Sequence, residues 1–156
     1  MTNIIASQTL TKRLDTRLGE IEYTNRDLFT FKHGLYGFED LNEYIVTLLP
    51  NADTPDVYRC LQSLEEPELA IVLMNVTINP DGSGIINRHD LTDHLQQRNL
   101  NLEDVTVYLV TSIRNEDGRQ RVSVNTKAPI LLAPNQQEGW QVILESPNYK
   151  VSHYLV

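Results

Sequence analysis

The chain has 156 residues, a length that suits a single domain spanning 1–156. Hydrophobic residues make up 40% of it and charged residues 22%, a composition that excludes a chain disordered throughout. With 13 Lys and Arg against 21 Asp and Glu, the net charge is −8, and the absence of any basic cluster disfavours a nucleic-acid-binding barrel and direct nucleic-acid contact in general.

The cysteine content and the distribution of apolar residues indicate the cellular compartment of the protein. Cys60 is the only cysteine, so no internal disulfide can form, and we expect a small buried side chain there. The first residues lack the basic start and apolar run of a signal peptide. No stretch approaches the roughly 20 apolar residues of a membrane span. We therefore expect a cytoplasmic protein that does not bind membranes.

The first half of the chain alternates strand and turn signals. Runs rich in β-branched and aromatic residues predict strands, and clusters of Pro, Asn, Asp and Gly predict the turns between them. In chain order these are the strand YIVTLL (44–49), the loop PNADTPD (50–56), the strands VYRCLQSL (57–64) and ELAIVLMNVTI (68–78), and the turn NPDGSG (79–84).

One helix is predicted over residues 89–99, HDLTDHLQQRN. Asp90 is placed to cap its first turn. Leu91 and Leu95 share one face at the i, i+4 spacing, and Arg98 suits the negative end of the helix dipole.

The second half predicts hairpins. VTVYLVTSI (105–113) partly alternates and leads through Asp117-Gly118, a hairpin-turn pair, into RVSVN. APILLAP and WQVILE flank NQQEG as a second hairpin, and YKVSHYLV closes the chain. Many short strands with one helix favour a mainly β fold, a small antiparallel β-barrel-like single domain with one short helix. A barrel is preferred to a sandwich because closure removes exposed edges.

The corner VNTKAP joins the two hairpins. Asn125 ends one strand because Asn tolerates turn geometry, and Pro129 opens the next, where proline costs no ladder hydrogen bond. Lys127 stands at the corner itself. Two interpretations stay open for Lys127: a position set by the architecture alone, or a direct contact with a partner.

Catalytic and metal-binding patterns are weak. The sequence contains no P-loop, nucleophile elbow or HExxH motif. In HDLTDH, His89 with Asp93, or Asp90 with His94, supplies at most two ligands, whereas metal sites need three or four. We therefore expect no enzymatic activity, no metal and no cofactor. The alternative is a small metal-dependent or otherwise uncharacterised β-barrel enzyme.

Acidic residues concentrate between positions 39 and 68, where eight acids accompany one base, Arg59. Such a region attracts a basic protein partner by field complementarity. The simpler interpretation is that these acids only keep the protein soluble.

Three segments together resemble the flagellar assembly factor FliW family. Their order and spacing match a G-x-x-G-F-E motif, an L-Q-S-x-x-x-P motif, and a closing N-x-K-A-P-I motif followed by G-x-Q-V-I-L. Residues 76–102 fit that family poorly. The segments are FKHGLYGFED (31–40), YRCLQSLEEPELAIVL (58–73) and VNTKAPILLAPNQQEGWQVILESPNYKVSHYLV (124–156).

The resemblance implies a regulator without catalytic activity, monomeric when free. Members of this family bind CsrA, a small dimeric RNA-binding regulator that represses flagellin translation, and they also bind flagellin. When flagellin is scarce, the freed factor binds CsrA and relieves the repression. The switch needs no cofactor.

The matching positions are candidates for two roles. Gly34, Gly37, Pro67 and Pro129 are expected to shape the backbone. Phe38 is either a core anchor or an exposed contact, and only one of Gln62 and Ser63 is expected to reach a partner, because neighbours on a strand face opposite sides. The candidate partner-binding residues are Phe38, Glu39, Asp40, Gln62, Ser63, Glu65, Glu66, Asn125 and Lys127.

Overall fold

The computed structural model describes residues 10–49 and 57–155. The predicted loop at 50–56 and the N-terminal residues discussed above lie outside this part of the chain. Within it, no helix has the length and apolar character needed to cross a membrane.

Eleven strands dominate the described structure. The strands predicted from sequence are present with one shift: the predicted WQVILE strand begins earlier, at Glu138, and ends at Gln141, so residues 142–145 are not in a strand. The bounds of the eleven strands are β1 (Lys12–Thr16), β2 (Gly19–Tyr23), β3 (Leu28–Thr30), β4 (Glu43–Leu48), β5 (Tyr58–Ser63), β6 (Ala70–Val76), β7 (Thr106–Glu116), β8 (Arg119–Val124), β9 (Ile130–Ala133), β10 (Glu138–Gln141) and β11 (His153–Tyr154). β1 and β2 form a separate hairpin that the sequence did not predict.

The other nine strands form one sheet, and seven of them close into a ring. β3 to β7 pair in consecutive antiparallel order, β10 joins β3 to β9, and β9 returns to β7. β8 and β11 extend the sheet outward from the second half of β7. The mainly β, barrel-like prediction is confirmed.

The strand pair that closes the ring, β10 with β3, is parallel, whereas the other pairs of the sheet are antiparallel. β10 meets β3 in parallel, at the single pair Glu138 and Thr30. The preceding turn supports this contact, because the Thr30 amide donates to the Gln137 carbonyl at 2.9 Å. The Gln137 side chain also donates to the carbonyls of Asn25 and Leu28. A short parallel contact thus closes the ring. It is stabilised by side-chain hydrogen bonds of Gln137, which the alternation of residues along a strand does not predict.

The Asp117-Gly118 hairpin turn is confirmed in detail. Both residues have positive φ, 51° and 75°. Two consecutive positive φ values are the signature of the tight turn that suits the twist of a hairpin. β7 and β8 pair from Thr111 with Val124 out to Glu116 with Arg119.

The predicted helix is present but begins differently. A 3₁₀ turn, η2 (Arg88–Leu91), leads into α1 (Thr92–Gln96). The prediction that Asp90 caps it is wrong, because the Asn87 side chain accepts the hydrogen bond from the His89 amide instead. Two further 3₁₀ turns are η1 (Asn25–Asp27) and η3 (Leu102–Asp104).

The apolar side chains form two layers. One cluster draws on β3, β4, β5, β6, β7 and β9 and fills the inside of the ring; in it Phe31 meets Tyr44 edge to face, with ring centroids 5.1 Å apart. The second lies outside β7 and β9 and is covered by Leu91 and Leu95 of the helical segment. β9 is buried on both faces, which explains its unbroken apolar sequence.

Candidate functional site

The first motif forms a tight bend between β3 and β4. Gly34 and Gly37 have φ values of 65° and 91°, as the sequence predicted for a bend. A Cβ at position 34 would lie 2.7 Å from the Glu39 Cα, so the backbone passes too closely for any side chain. The bend is closed by the Phe38 amide, which donates to the Leu35 carbonyl at 2.8 Å.

This bend decides which side chains point outward. Leu35 is buried among the ring-filling residues, whereas Tyr36 is 55% exposed and Phe38 is 43% exposed. Of the two interpretations of Phe38, a core anchor is therefore wrong and an exposed side chain is correct. Leu35 takes the core position because the turn at Gly37 directs the next side chain away from the interior.

Tyr36 is a site residue that sequence reasoning missed. Its backbone amide donates to the Gln141 side-chain oxygen at 2.9 Å, across 105 positions of sequence. The same Gln141 side chain donates to the Ala128 carbonyl at 3.2 Å. Gln141 therefore joins the first motif to the corner of the third, a relationship that no local pattern indicates.

The third motif forms the predicted corner. Asn125 accepts a hydrogen bond from the Ala128 amide at 3.0 Å, which holds the turn. The backbone of Lys127 is fixed on both sides, since its amide donates to the Lys150 carbonyl and its carbonyl accepts from the Leu144 amide. Pro129 directly precedes β9, as predicted. The architecture therefore accounts for the corner, and the partly exposed Lys127 side chain remains available.

An apolar groove of about 470 Å³ joins the first and third motifs. Its deeper residues, Leu35, Ile71 and Val110, also pack in the ring-filling cluster, so the groove opens onto the interior of the ring. Exposed aromatic and aliphatic side chains form its rim beside two polar candidates. The full lining is Leu35, Tyr36, Phe38, Ile71, Val110, Asn125, Lys127, Ala128, Gln141, Ile143 and Val151.

The rim concentrates exposed apolar surface. Tyr36, Phe38, Ile143 and Val151 are each at least 43% exposed, the last of them 70%. Large apolar side chains gathered on one exposed surface mark an interaction site more often than isolated ones do. Sequence reasoning missed Tyr36, Ile143 and Val151, because their shared surface arises only when the closing segment packs beside the first bend.

The second motif builds a loop, and two of its predicted contacts are corrected. Gln62 and Ser63 are both fully buried, so neither side chain reaches the surface. Ser63 Oγ accepts from the amides of Glu65 and Glu66 at 3.1 and 2.9 Å. The Gln62 amide group donates to the Ser63 carbonyl and, at 3.1 Å, to the Pro67 carbonyl. Both act inside the protein by shaping the loop between β5 and β6, which contains Pro67.

Glu65 joins the second motif to the start of β4, just beyond the first motif. Its carboxylate accepts from the backbone amides of Asn42 and Glu43, at 2.7 and 2.8 Å. These bonds, the one from Glu43 most strongly, lower the pKa of the Glu65 carboxyl. Glu65 is therefore exposed to solvent yet engaged within the protein.

The other acidic candidates are exposed with few internal bonds. Glu39 accepts from the Gly37 amide at 3.2 Å, within its own bend. Glu66 accepts a long bond, 3.4 Å, from the Glu68 amide. Asp40 is exposed beside Glu39. Their charges are therefore directed mainly to solvent, and Glu39 and Asp40 directly follow the groove residue Phe38.

Cys60 is the small buried side chain that was expected. It is fully buried in β5, and burial raises the pKa of its thiol to about 11, against a smaller opposing effect of Arg17. Because the thiolate is the nucleophilic form, this thiol is unreactive at neutral pH.

The HDLTDH segment serves the packing of the closing segment. The Tyr149 hydroxyl donates to the Asp90 carboxylate and accepts from the Asn87 amide at 3.0 Å. Burial, followed by the bond to Asp90, raises the pKa of Tyr149. Across residues 10–49 and 57–155, His, Cys, Asp and Glu side chains form no group of three or more suited to a metal ion.

Comparisons with known proteins agree with the fold and with the three motifs. A family model described as FliW protein matches residues 12–155. The flagellar assembly factor FliW of Syntrophotalea carbinolica is 31% identical, over 92% of this chain and 97% of the relative. That of Clostridium botulinum (strain 657 / Type Ba4) is also 31% identical, over 92% and 96% of the two chains.

A solved structure matches as well. It is described as the crystal structure of the flagellar assembly factor FliW, with a TM-score of 0.66 and 27% identity. The match covers 92% of this chain and 96% of that one. The chain therefore belongs to the FliW family of flagellar assembly factors.

Proposed function

We propose that the chain is a non-catalytic regulator that binds both flagellin and a CsrA-type RNA-binding protein. Binding of CsrA relieves its repression of flagellin translation, and binding of flagellin withdraws the factor from CsrA. The proposal rests on family membership and on the resemblance of the three motifs, and it requires a protein-binding surface.

The apolar groove is the observation that carries this proposal. It joins two of the three motifs, and its rim presents Tyr36 and Phe38 beside Ile143. Aromatic side chains at the centre of an interface contribute much of its binding free energy. Asn125 and Lys127 add polar groups that fix the orientation of a bound segment.

The charge distribution supports a basic partner. Glu39 and Asp40 lie exposed directly after the groove residue Phe38, and Glu66 is exposed on the loop between β5 and β6. An RNA-binding protein carries basic side chains for phosphate. Opposite charges speed the encounter and suppress wrong partners.

A switch between two partners needs no conformational device in the factor. If both partners require the groove, each lowers the apparent affinity of the other by mass action. The ratio of free flagellin to CsrA then sets how much factor is bound to CsrA.

Size-exclusion chromatography of the full chain with the CsrA-type regulator and the flagellin of its own organism tests the switch. We expect a stable complex with the regulator that added flagellin dissolves. A complex that persists beside saturating flagellin would contradict competition, and the absence of both complexes would contradict the proposal as a whole.

Groove variants locate the interface. Phe38→Ala is expected to weaken binding of at least one partner by about 2 kcal/mol, roughly 30-fold, as for an aromatic anchor. Leu48→Ala is the matched control, because Leu48 is an exposed apolar side chain, 63% exposed, outside the groove. Calorimetric titration measures both. Equal effects of the two variants would place the interface elsewhere.

The acidic loop is tested at Glu66 rather than Glu65. Reversal of Glu65 would also break its two bonds to the backbone of β4 and the preceding loop. Glu66→Lys is expected to weaken regulator binding more at low salt than at high salt, because salt screens exposed charges. Unchanged affinity at both salt levels would remove this loop from the interface.

A further inference from the structure

The outer half of the β7–β8 hairpin is an arm that only β11 flanks, where Tyr154 pairs with Ser123. β6 pairs with β7 only as far as Thr111, and β9 pairs with it only up to Tyr108. Beyond Thr111, β7 pairs with β8 alone, out to Glu116 opposite Arg119. The arm therefore lies outside the ring and belongs neither to the groove nor to its rim.

Two arginines lie directly opposite each other on this arm. Arg114 of β7 pairs in register with Arg121 of β8, so both side chains are on the same face. Like charges in this position repel and destabilise a strand pair. Glu116 shares the face, opposite Arg119, yet among the described residues no carboxylate lies within the 4.0 Å of an ion pair from Arg114 or Arg121.

Tyr154 holds both guanidinium groups at the outer edge of the sheet. The Arg121 guanidinium carbon lies 4.5 Å from the centre of the Tyr154 ring. Arg114 reaches across β8 to donate to the Tyr154 hydroxyl at 3.1 Å. Both guanidinium groups are thus oriented before any ligand arrives, which reduces the entropy lost on binding.

The pair also retains unused donor capacity. Arg121 Nε is buried and has no hydrogen-bond partner within the described structure. Within the described structure the Arg114 side chain makes one hydrogen bond, to Tyr154, with a single nitrogen of a group that carries five N–H donors. Arg121 Nε is itself closed to a ligand, so the donors offered to an anionic oxygen are the remaining N–H groups of the exposed Arg114 and the partly exposed Arg121.

We propose that Arg114, Arg121 and Tyr154 form a receptor site for a carboxylate side chain of an acidic peptide segment. Two adjacent guanidinium groups match the two oxygens of a carboxylate, and charge-assisted hydrogen bonds of this kind are the strong ones. The site is separate from the groove and does not depend on the proposed function.

The charge of the whole chain selects a peptide over a nucleic acid. A net charge of −8 repels a long polyanion, whose binding needs a row of basic side chains. On the outer face of the arm the row consists of Arg114, Arg119 and Arg121, with Glu116 among them. This suffices for one or two carboxylates.

Fluorescence anisotropy with the full chain tests the site. The probe is a short labelled peptide of alternating Glu and Thr, and its control has Gln in place of every Glu. We expect the Glu peptide to bind about tenfold more tightly than the Gln peptide at low salt. Arg114→Gln and Arg121→Gln are each expected to remove most of that difference, because each deletes one charged donor group.

Two control variants define the specificity. Arg13→Gln removes the same charge on β1, where Arg13 pairs with Glu22 at 3.3 Å, and it is expected to retain peptide binding. Phe38→Ala alters the groove and is expected to retain it too, so failure of the groove function and failure of this site are distinguishable. Thermal unfolding of every variant establishes that it is folded.

Several results would overturn the proposal. Equal binding of the Glu and Gln peptides would show that the arginines do not recognise a carboxylate. Equal losses in Arg13→Gln and Arg121→Gln would reduce the effect to net charge. Tighter binding of a single-stranded oligonucleotide, lost in Arg114→Gln, would assign the arm to nucleic acid instead. If amide NMR shifts of the arm respond to inorganic phosphate and not to the Glu peptide, the site takes small anions only.

Discussion

Gly139 lies directly against the aromatic ring of Phe31. A Cβ at position 139 would be 2.6 Å from Cε1 and 2.8 Å from Cε2 of that ring, inside contact distance. Phe31 is fully buried and fills the inside of the ring just beyond β3. β10 can therefore approach β3 and close the sheet only because residue 139 has no side chain.

This contact predicts that Gly139→Ala destabilises the fold by about 1–3 kcal/mol, the usual cost of overpacking a core. Urea unfolding measures the change. Phe31→Leu removes the opposing ring, so the alanine is expected to cost less in that background, and a double-mutant cycle gives the coupling. An equal cost in both backgrounds would contradict a clash with Phe31.

The first bend predicts unequal effects of alanine at its two glycines. Both have positive φ, which costs about 1–2 kcal/mol for an ordinary residue. At Gly34 the new Cβ would also collide with the backbone of Glu39, whereas at Gly37 it would meet open space. We expect Gly34→Ala to lower the free energy of unfolding more than Gly37→Ala. The reverse order in chemical denaturation would contradict this geometry.

Glu65 predicts a dependence of stability on pH. Its folded pKa lies below the ordinary 4.5 because its carboxylate accepts from the Glu43 and Asn42 amides. The folded state thus favours the charged form, and this stabilisation is present above about pH 4.5 and is lost as pH falls through the lower folded pKa.

Glu65→Gln is therefore expected to flatten the decline of melting temperature below that pH. Glu66→Gln is the matched control, one position along the same exposed loop, where the described structure shows its carboxylate accepting only from the Glu68 amide of its own loop. Melting curves measured across acidic pH for the wild type and both variants check the effect. Superimposable declines in all three would contradict the role of Glu65.

Substitutions at two adjacent residues of the third motif are expected to differ strongly in their effect on stability. The Lys127 side chain is partly exposed at the groove, so Lys127→Ala is expected to change stability by no more than about 0.5 kcal/mol. Thr126 is buried, and its hydroxyl both donates to the Lys150 carbonyl and accepts from the Lys150 amide. Thr126→Val is expected to cost about 1–3 kcal/mol, because it removes both bonds of the buried hydroxyl and leaves the Lys150 amide without its partner. A large loss of melting temperature in Lys127→Ala would identify it as structural.

Local patterns predicted the fold well where one segment specifies its own conformation. The Asp117-Gly118 turn and the apolar run of β9 are examples, because turn geometry and burial on both faces leave direct marks in the sequence. The sequence of the β1–β2 hairpin carries no such signal, because Ile21 is its one buried residue and charged residues lie on both of its faces.

The site was harder to predict because its residues meet only in the folded chain. The motif positions Gln62 and Ser63 are buried scaffold, and nothing in their sequence distinguishes a buried polar pair from an exposed one. Conversely, Tyr36 and Ile143 belong to the groove through packing between distant segments. Resemblance to a family pointed to these segments, and only the geometry divided their side chains into those that shape loops and those that are exposed.

Ring closure carries a consequence for synthesis on the ribosome. β3 to β6 can pair as they emerge, yet the free edge of β3 waits for β10, more than 100 positions later. Long-range pairing of this kind slows folding and leaves a strand edge open to aggregation. The groove combines the first bend with Ile143 from the closing segment, so it is complete only after that last step. A nascent chain that has not yet placed β10 and Ile143 therefore lacks the complete groove.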